Sequence, residues 1–109
     1  MKESAINRDA LLTQVKQAVY GLEPDAEIIL YGSHSRGDAT AESDWDFLIL
    51  VDGVVNWERT DKIRHRLYEI EWECGEVLSS IVKSRQEWYN SPYRVTPLYH
   101  NITLEGIRL

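Results

Sequence analysis

Two carboxylates, Asp44 and Asp46, stand two residues apart at the entrance to an apolar run, Phe47-Leu-Ile-Leu-Val51. Alternate side chains of a strand point to one face, so both acids project from the same side with Cα atoms roughly 7 Å apart. Like charges this close repel each other unless a cation lies between them. A hard divalent ion such as magnesium takes carboxylate oxygens and keeps places for water and phosphate oxygens. A second feature precedes the acids. The short run Glu27-Ile-Ile-Leu-Tyr31 ends directly in Gly32-Ser33, and Gly37 closes the turn region. Backbone N–H groups presented at such a turn, or at the start of a short helix, favour a phosphate. Together the two parts describe a site for a metal-bound triphosphate.

Each part alone is weak. Gly-Ser after a strand is usually only a turn. Ser-Asp-x-Asp before a strand is often a solvated turn that stops edge pairing, and Arg36 by itself reads as a surface residue. The conjunction carries the argument, because it requires two strand ends to lie side by side.

The elements that must do this positioning are legible in turn. Residues 1–6 read as a loose start. Asn7 reads as the N-cap of an amphipathic helix over 8–20, in which Leu11, Val15, Ala18 and Leu22 recur at helical spacing and Gly21 and Pro24 end the pattern. Strand one covers 27–31 and strand two 46–51. On strand two Asp46, Leu48 and Leu50 share one face while Phe47, Ile49 and Val51 share the other, as a covered central strand requires. Asn56 caps a second helix over 57–73 with an apolar stripe at Ile63, Leu67, Ile70 and Cys74. A strand is the competing reading there, since Tyr68, Ile70, Trp72 and Cys74 alternate with Glu69, Glu71 and Glu73. The helix is preferred because its stripe extends back to Ile63. Residues 76–83 form a third strand. Ser84 and Glu87 make a capping box for a short helix, and Thr96-Pro97 opens a last one that Gly106 closes.

The pattern Gly32-Ser33, Arg36-Gly37, then Ser43-Asp44 and Asp46 before an apolar strand, resembles the minimal nucleotidyltransferases of the polymerase β superfamily, the type found among antitoxins. The resemblance is tight over residues 27–52. It implies an α/β (α+β) fold, a nucleotidyltransferase-like mixed sheet with helices packed mainly on one face, and a helix at 57–73. It also implies Asp44 and Asp46 as the catalytic and metal-binding acids, Mg2+ as the ion, and Gly32, Ser33 and Arg36 as the residues that hold the nucleoside triphosphate, with ATP expected. The activity implied is transfer of a nucleoside monophosphate to an acceptor hydroxyl. Small members are often encoded beside a HEPN-type partner protein, which some of them nucleotidylate. His34 lies inside the motif at a position the family varies.

One departure from that pattern concerns the third strand, where the family carries a third carboxylate facing the pair. Here the strand reads Glu-Val-Leu-Ser-Ser-Ile-Val-Lys. Ser79 is the expected occupant of the matching position, or Ser80 if the register slips by one. Glu76, Glu73 and Glu71 are the acids that stand near enough in sequence to substitute. Two functions therefore follow as expectations: a transferase, or an interaction module that kept the fold and lost turnover. The aromatics Trp88, Tyr89, Tyr93 and Tyr99 are candidates for a contact surface, with core packing the stronger reading for most of them.

Composition sets the outer limits. A chain of 109 residues fits one domain spanning 1–109 with a single core, and a 43% hydrophobic fraction with four tryptophans and six tyrosines supplies that core. The net charge of −6 gives no basic footprint for an extended nucleic-acid surface. The lone Cys74 excludes an internal disulfide and a cysteine-based zinc site. No apolar run approaches the roughly 20 residues of a membrane helix, and the N-terminus lacks a signal-peptide layout, so a cytoplasmic protein is expected. Self-association stays open alongside a protein partner.

Overall fold

The computed structural model describes residues 7–90 and 92–109, and the loose start expected over residues 1–6 lies outside them. In chain order the elements are α1 (Arg8–Leu22), β1 (Glu27–Tyr31), the one-turn helix α2 (Ser33–Arg36), β2 (Trp45–Val51) and α3 (Trp57–Cys74). There follow β3 (Leu78–Ser84), α4 (Arg85–Tyr89), a 3-10 turn (Tyr93–Val95), α5 (Pro97–Glu105) and β4 (Ile107–Arg108). The strands form one mixed sheet in the order β3-β2-β1-β4. β1 runs antiparallel to both β2 and β4, whereas β2 and β3 are parallel. The fold class is the mixed α/β architecture expected from the motifs.

Side chains fix where the helices begin. The carboxamide oxygen of Asn7 accepts from the Ala10 N–H at 2.8 Å, and that of Asn56 accepts from the Arg59 N–H at 2.8 Å. Each satisfies a donor that has no partner within the first helical turn. Ser84 and Thr96 cap α4 and α5 in the same way, Thr96 with Pro97 at the first helical position.

α1 and α3 pack together on one face of the sheet, as their apolar stripes demand. Leu11, Val15, Ile63 and Leu67 are buried there with Ile28, Leu30, Phe47 and Ile49. The opposite face is closed by shorter pieces: Trp88 and Ile102 bury Leu48 and Leu50, with Tyr93 and Tyr99 packed beside them. Central β2 is therefore apolar on both sides beyond Asp46. The two long helices occupy one face as expected, while Trp88, Tyr93 and Tyr99 build the second small core and Tyr89 is exposed. The competing strand reading of 68–74 also finds its explanation. Ile70 and Cys74 face the sheet and Tyr68 and Trp72 face outward, so the alternation comes from opposite sides of one helix. The two-residue β4 is too short to leave a periodic signal and was not expected.

Candidate active site

The sheet register brings the motifs together. Tyr31 at the end of β1 pairs with Asp46 on β2, and Asp46 pairs with Ser79 on β3. Gly32 follows Tyr31 with φ of +79°, a left-handed conformation that favours glycine. It also lies directly against Asp46, because a Cβ added at Gly32 would run into the Asp46 carboxylate. The absent side chain leaves a cradle over the acid.

α2 then turns tightly around the Gly32 carbonyl, which accepts from Ser35 N–H at 3.0 Å, Arg36 N–H at 3.1 Å and the Ser35 hydroxyl at 2.9 Å. The Ser33 carbonyl accepts from Gly37 and Asp38, while the Ser33 hydroxyl has no partner among the described residues. Arg36 is committed to two acids. Its Nε donates to Asp38 Oδ2 at 3.1 Å and its Nη1 to Glu105 Oε2 at 2.9 Å.

Asp46 is half-buried and Asp44 exposed at the mouth of the strand. Neither carboxylate has a hydrogen-bond or ion-pair partner among the described residues. Burial raises the Asp46 carboxyl above its ordinary range, and the like charge of Asp44 adds to this. Arg36 opposes the rise, and Glu105 contributes to it. Tyr31 beside it is pushed up to about 12 by burial and by the Asp46 charge. A buried carboxylate without a counter-charge is costly. Asp46 is partly exposed beside the exposed Asp44, so both carboxylates are reachable from solvent.

His34 takes a part that its sequence position did not suggest. Its ring stacks on Trp45 with centroids 3.5 Å apart, and Nε2 lies 3.2 Å from the Ser43 carbonyl oxygen. Arg8 adds a hydrogen bond to the His34 carbonyl at 2.8 Å. The Gly32-Ser33 turn is thus pinned to the loop that delivers Asp44. The usable signal was Trp45, a large aromatic between the two aspartates.

Ser79, the residue expected to match the third acid, pairs with Asp46 across β2 and β3. Glu71 accepts from the Leu78 N–H at 2.7 Å, ordering the turn into β3. Glu71 and Glu73 belong to α3, which covers the face opposite Asp46. Among the described residues no group of three or more His, Cys, Asp and Glu side chains gathers in a way that could hold a metal. The donor set that does exist is two hard carboxylates beside an open cradle. It fits one magnesium ion when triphosphate and water supply the other oxygens, because magnesium asks for about six and retains water readily.

A mixed sheet whose central strand presents an acid pair beside a strand-glycine-helix turn defines a nucleotidyltransferase-like class of protein. The family described as "Nucleotidyltransferase domain" matches residues 10–91, and the chain belongs to that family. No match is found among curated proteins. The matched stretch runs from α1 through α4 and stops short of α5 and β4.

Proposed function

We propose that this protein transfers a nucleoside monophosphate from a magnesium-bound nucleoside triphosphate, ATP being the expected donor, to an acceptor hydroxyl. The observation that carries the reading is the half-buried Asp46 carboxylate, unpartnered beside Asp44 and facing the gap left by Gly32. Asp44 and Asp46 would hold the ion. When bound, it supplies neutralisation of phosphate charge at the reacting centre. The backbone and hydroxyl of Ser33, with Gly32, hold the β- and γ-phosphates, and Arg36 lends positive charge at the same mouth. An acceptor oxygen bonds to the α-phosphorus, the bond from that phosphorus to the α–β bridging oxygen breaks, and pyrophosphate leaves with that electron pair.

The acceptor's proton needs a base, and β3 offers Ser79 where an acid would serve. Turnover is therefore slow or depends on a partner. A HEPN-type protein is the proposed partner and acceptor, in an antitoxin-like role within the cytoplasm. The same serine favours a second reading, an interaction module that retains the fold without turnover. Titration with ATP, GTP, CTP and UTP, each with magnesium and with a chelator, separates the two. The transferase reading expects magnesium-dependent binding of at least one nucleotide, weakened roughly tenfold by Ser33→Ala through loss of a bond to a charged group. Equal binding of all four with and without magnesium overturns it in favour of the module.

A further inference from the structure

The segment after residue 91, outside the family match, folds back along the strand that delivers Gly32. β4 pairs with β1 through Ile29↔Arg108 and Leu30↔Ile107, and the Leu109 N–H donates to the Ile28 carbonyl at 2.8 Å. Glu105 ends α5 two residues before β4 and meets Arg36, which closes the short helix that Gly32 opens, at 2.9 Å. Gly106 permits the close approach, because a Cβ there would meet the Ile102 carbonyl oxygen at 2.5 Å and Ile29 Cγ2 at 2.7 Å. Arg108 secures the far end through Glu27 at 2.9 Å. Glu105 is thus presented by a braced backbone, and its side chain is only 18% exposed while that of Arg36 is 47% exposed.

We propose that Glu105 is a positioning residue of the nucleotide site. It holds the Arg36 guanidinium at the mouth of the Gly32-Ser33 turn, so that α5 and β4 complete a site that the family match leaves without them. The proposal rests on the transferase reading for its ligand, a triphosphate, but not for its geometry. Three observations support it. The 2.9 Å contact is charge-assisted, which makes it directional as well as attractive. Arg36 has one more anchor, Asp38 two residues away, whose side chain is 62% exposed and so confines it less. Arg36 belongs to the turn itself, its backbone N–H donating to the Gly32 carbonyl at 3.1 Å.

Two readouts on the full chain test this. Relaxation of the Arg36 Nη–H groups in labelled protein reports their order without any nucleotide, and titration with magnesium and ATP reports affinity. Glu105→Gln is expected to loosen the Arg36 Nη–H groups and to weaken ATP binding roughly tenfold, the scale of one hydrogen bond to a charged group. Arg36→Gln is expected to weaken binding by a similar factor, and the double variant no further, since the two act as a unit. Arg36 Nη–H groups equally ordered in wild type and Glu105→Gln overturn the proposal, as do losses that multiply in the double variant. If Glu105→Gln loosens Arg36 but the wild type binds no nucleotide with magnesium, the positioning role stands and the transferase reading falls. Thermal melts of both variants separate these effects from unfolding.

Discussion

Gly32 and Gly37 flank the same short helix with nearly equal positive φ, 79° and 86°, yet their surroundings differ. Nothing lies within 4 Å of a Cβ added at Gly37, whereas one at Gly32 strikes the Asp46 carboxylate. Gly37→Ala should therefore cost only the left-handed backbone, about 1 kcal/mol, and spare nucleotide binding. Gly32→Ala should cost about 1–3 kcal/mol in strain and abolish magnesium-dependent binding; urea unfolding and titration of the two variants check the contrast. Asp46 makes a second prediction. Its raised carboxyl means that the folded chain holds the proton more readily than the unfolded one. The penalty is absent below the ordinary value of 3.8 and grows as pH rises through the raised folded value. Asp46→Asn should thus melt higher than wild type at neutral pH, by on the order of a few °C, with the gap closing in acid. The acid pair and the glycine turn were legible because their spacing is local. Glu105 was not, since nothing within a few residues of it signals that α5 ends against Arg36.

Elements follow the same rule: periodic ones were readable and cooperative ones were not. α1 and α3 have stripes long enough to fix type and face, and β2 shows its central place by being apolar on both sides. β4 exists only because β1 offers it an edge. The link between the two long helices is likewise invisible in sequence: Arg59 Nε and Nη2 donate to the two Glu23 oxygens at 2.7 and 2.6 Å, tying the end of α1 to the start of α3. The Arg59 bond holds the Glu23 carboxyl below its ordinary 4.5. Its contribution is therefore present above 4.5 and lost as pH falls through the lowered folded value. Glu23→Gln should cost about 1 kcal/mol near neutral pH, the range for a partly exposed bidentate pair, and little at acid pH; chemical denaturation at several pH values checks it.

At the scale of the molecule, two small cores share one strand, and the site sits where that strand enters them. Phe47 is fully buried one residue beyond Asp46. Phe47→Ala should cost about 3–5 kcal/mol, a large part of the 5–15 kcal/mol that typically holds a domain. The loss should remove the fold and the site together, with far-ultraviolet dichroism and nucleotide binding failing at one denaturant concentration. Asp46→Asn instead separates them, since it empties the site while keeping the core. The most direct test of the acid pair as a metal–triphosphate site is therefore paramagnetic. Manganese with ATP, added well below one equivalent to labelled protein, should broaden the amide signals of Gly32, Ser33 and residues 44–47 before any others, and Asp46→Asn should restore them. Broadening centred elsewhere, or unchanged in Asp46→Asn, contradicts the assignment.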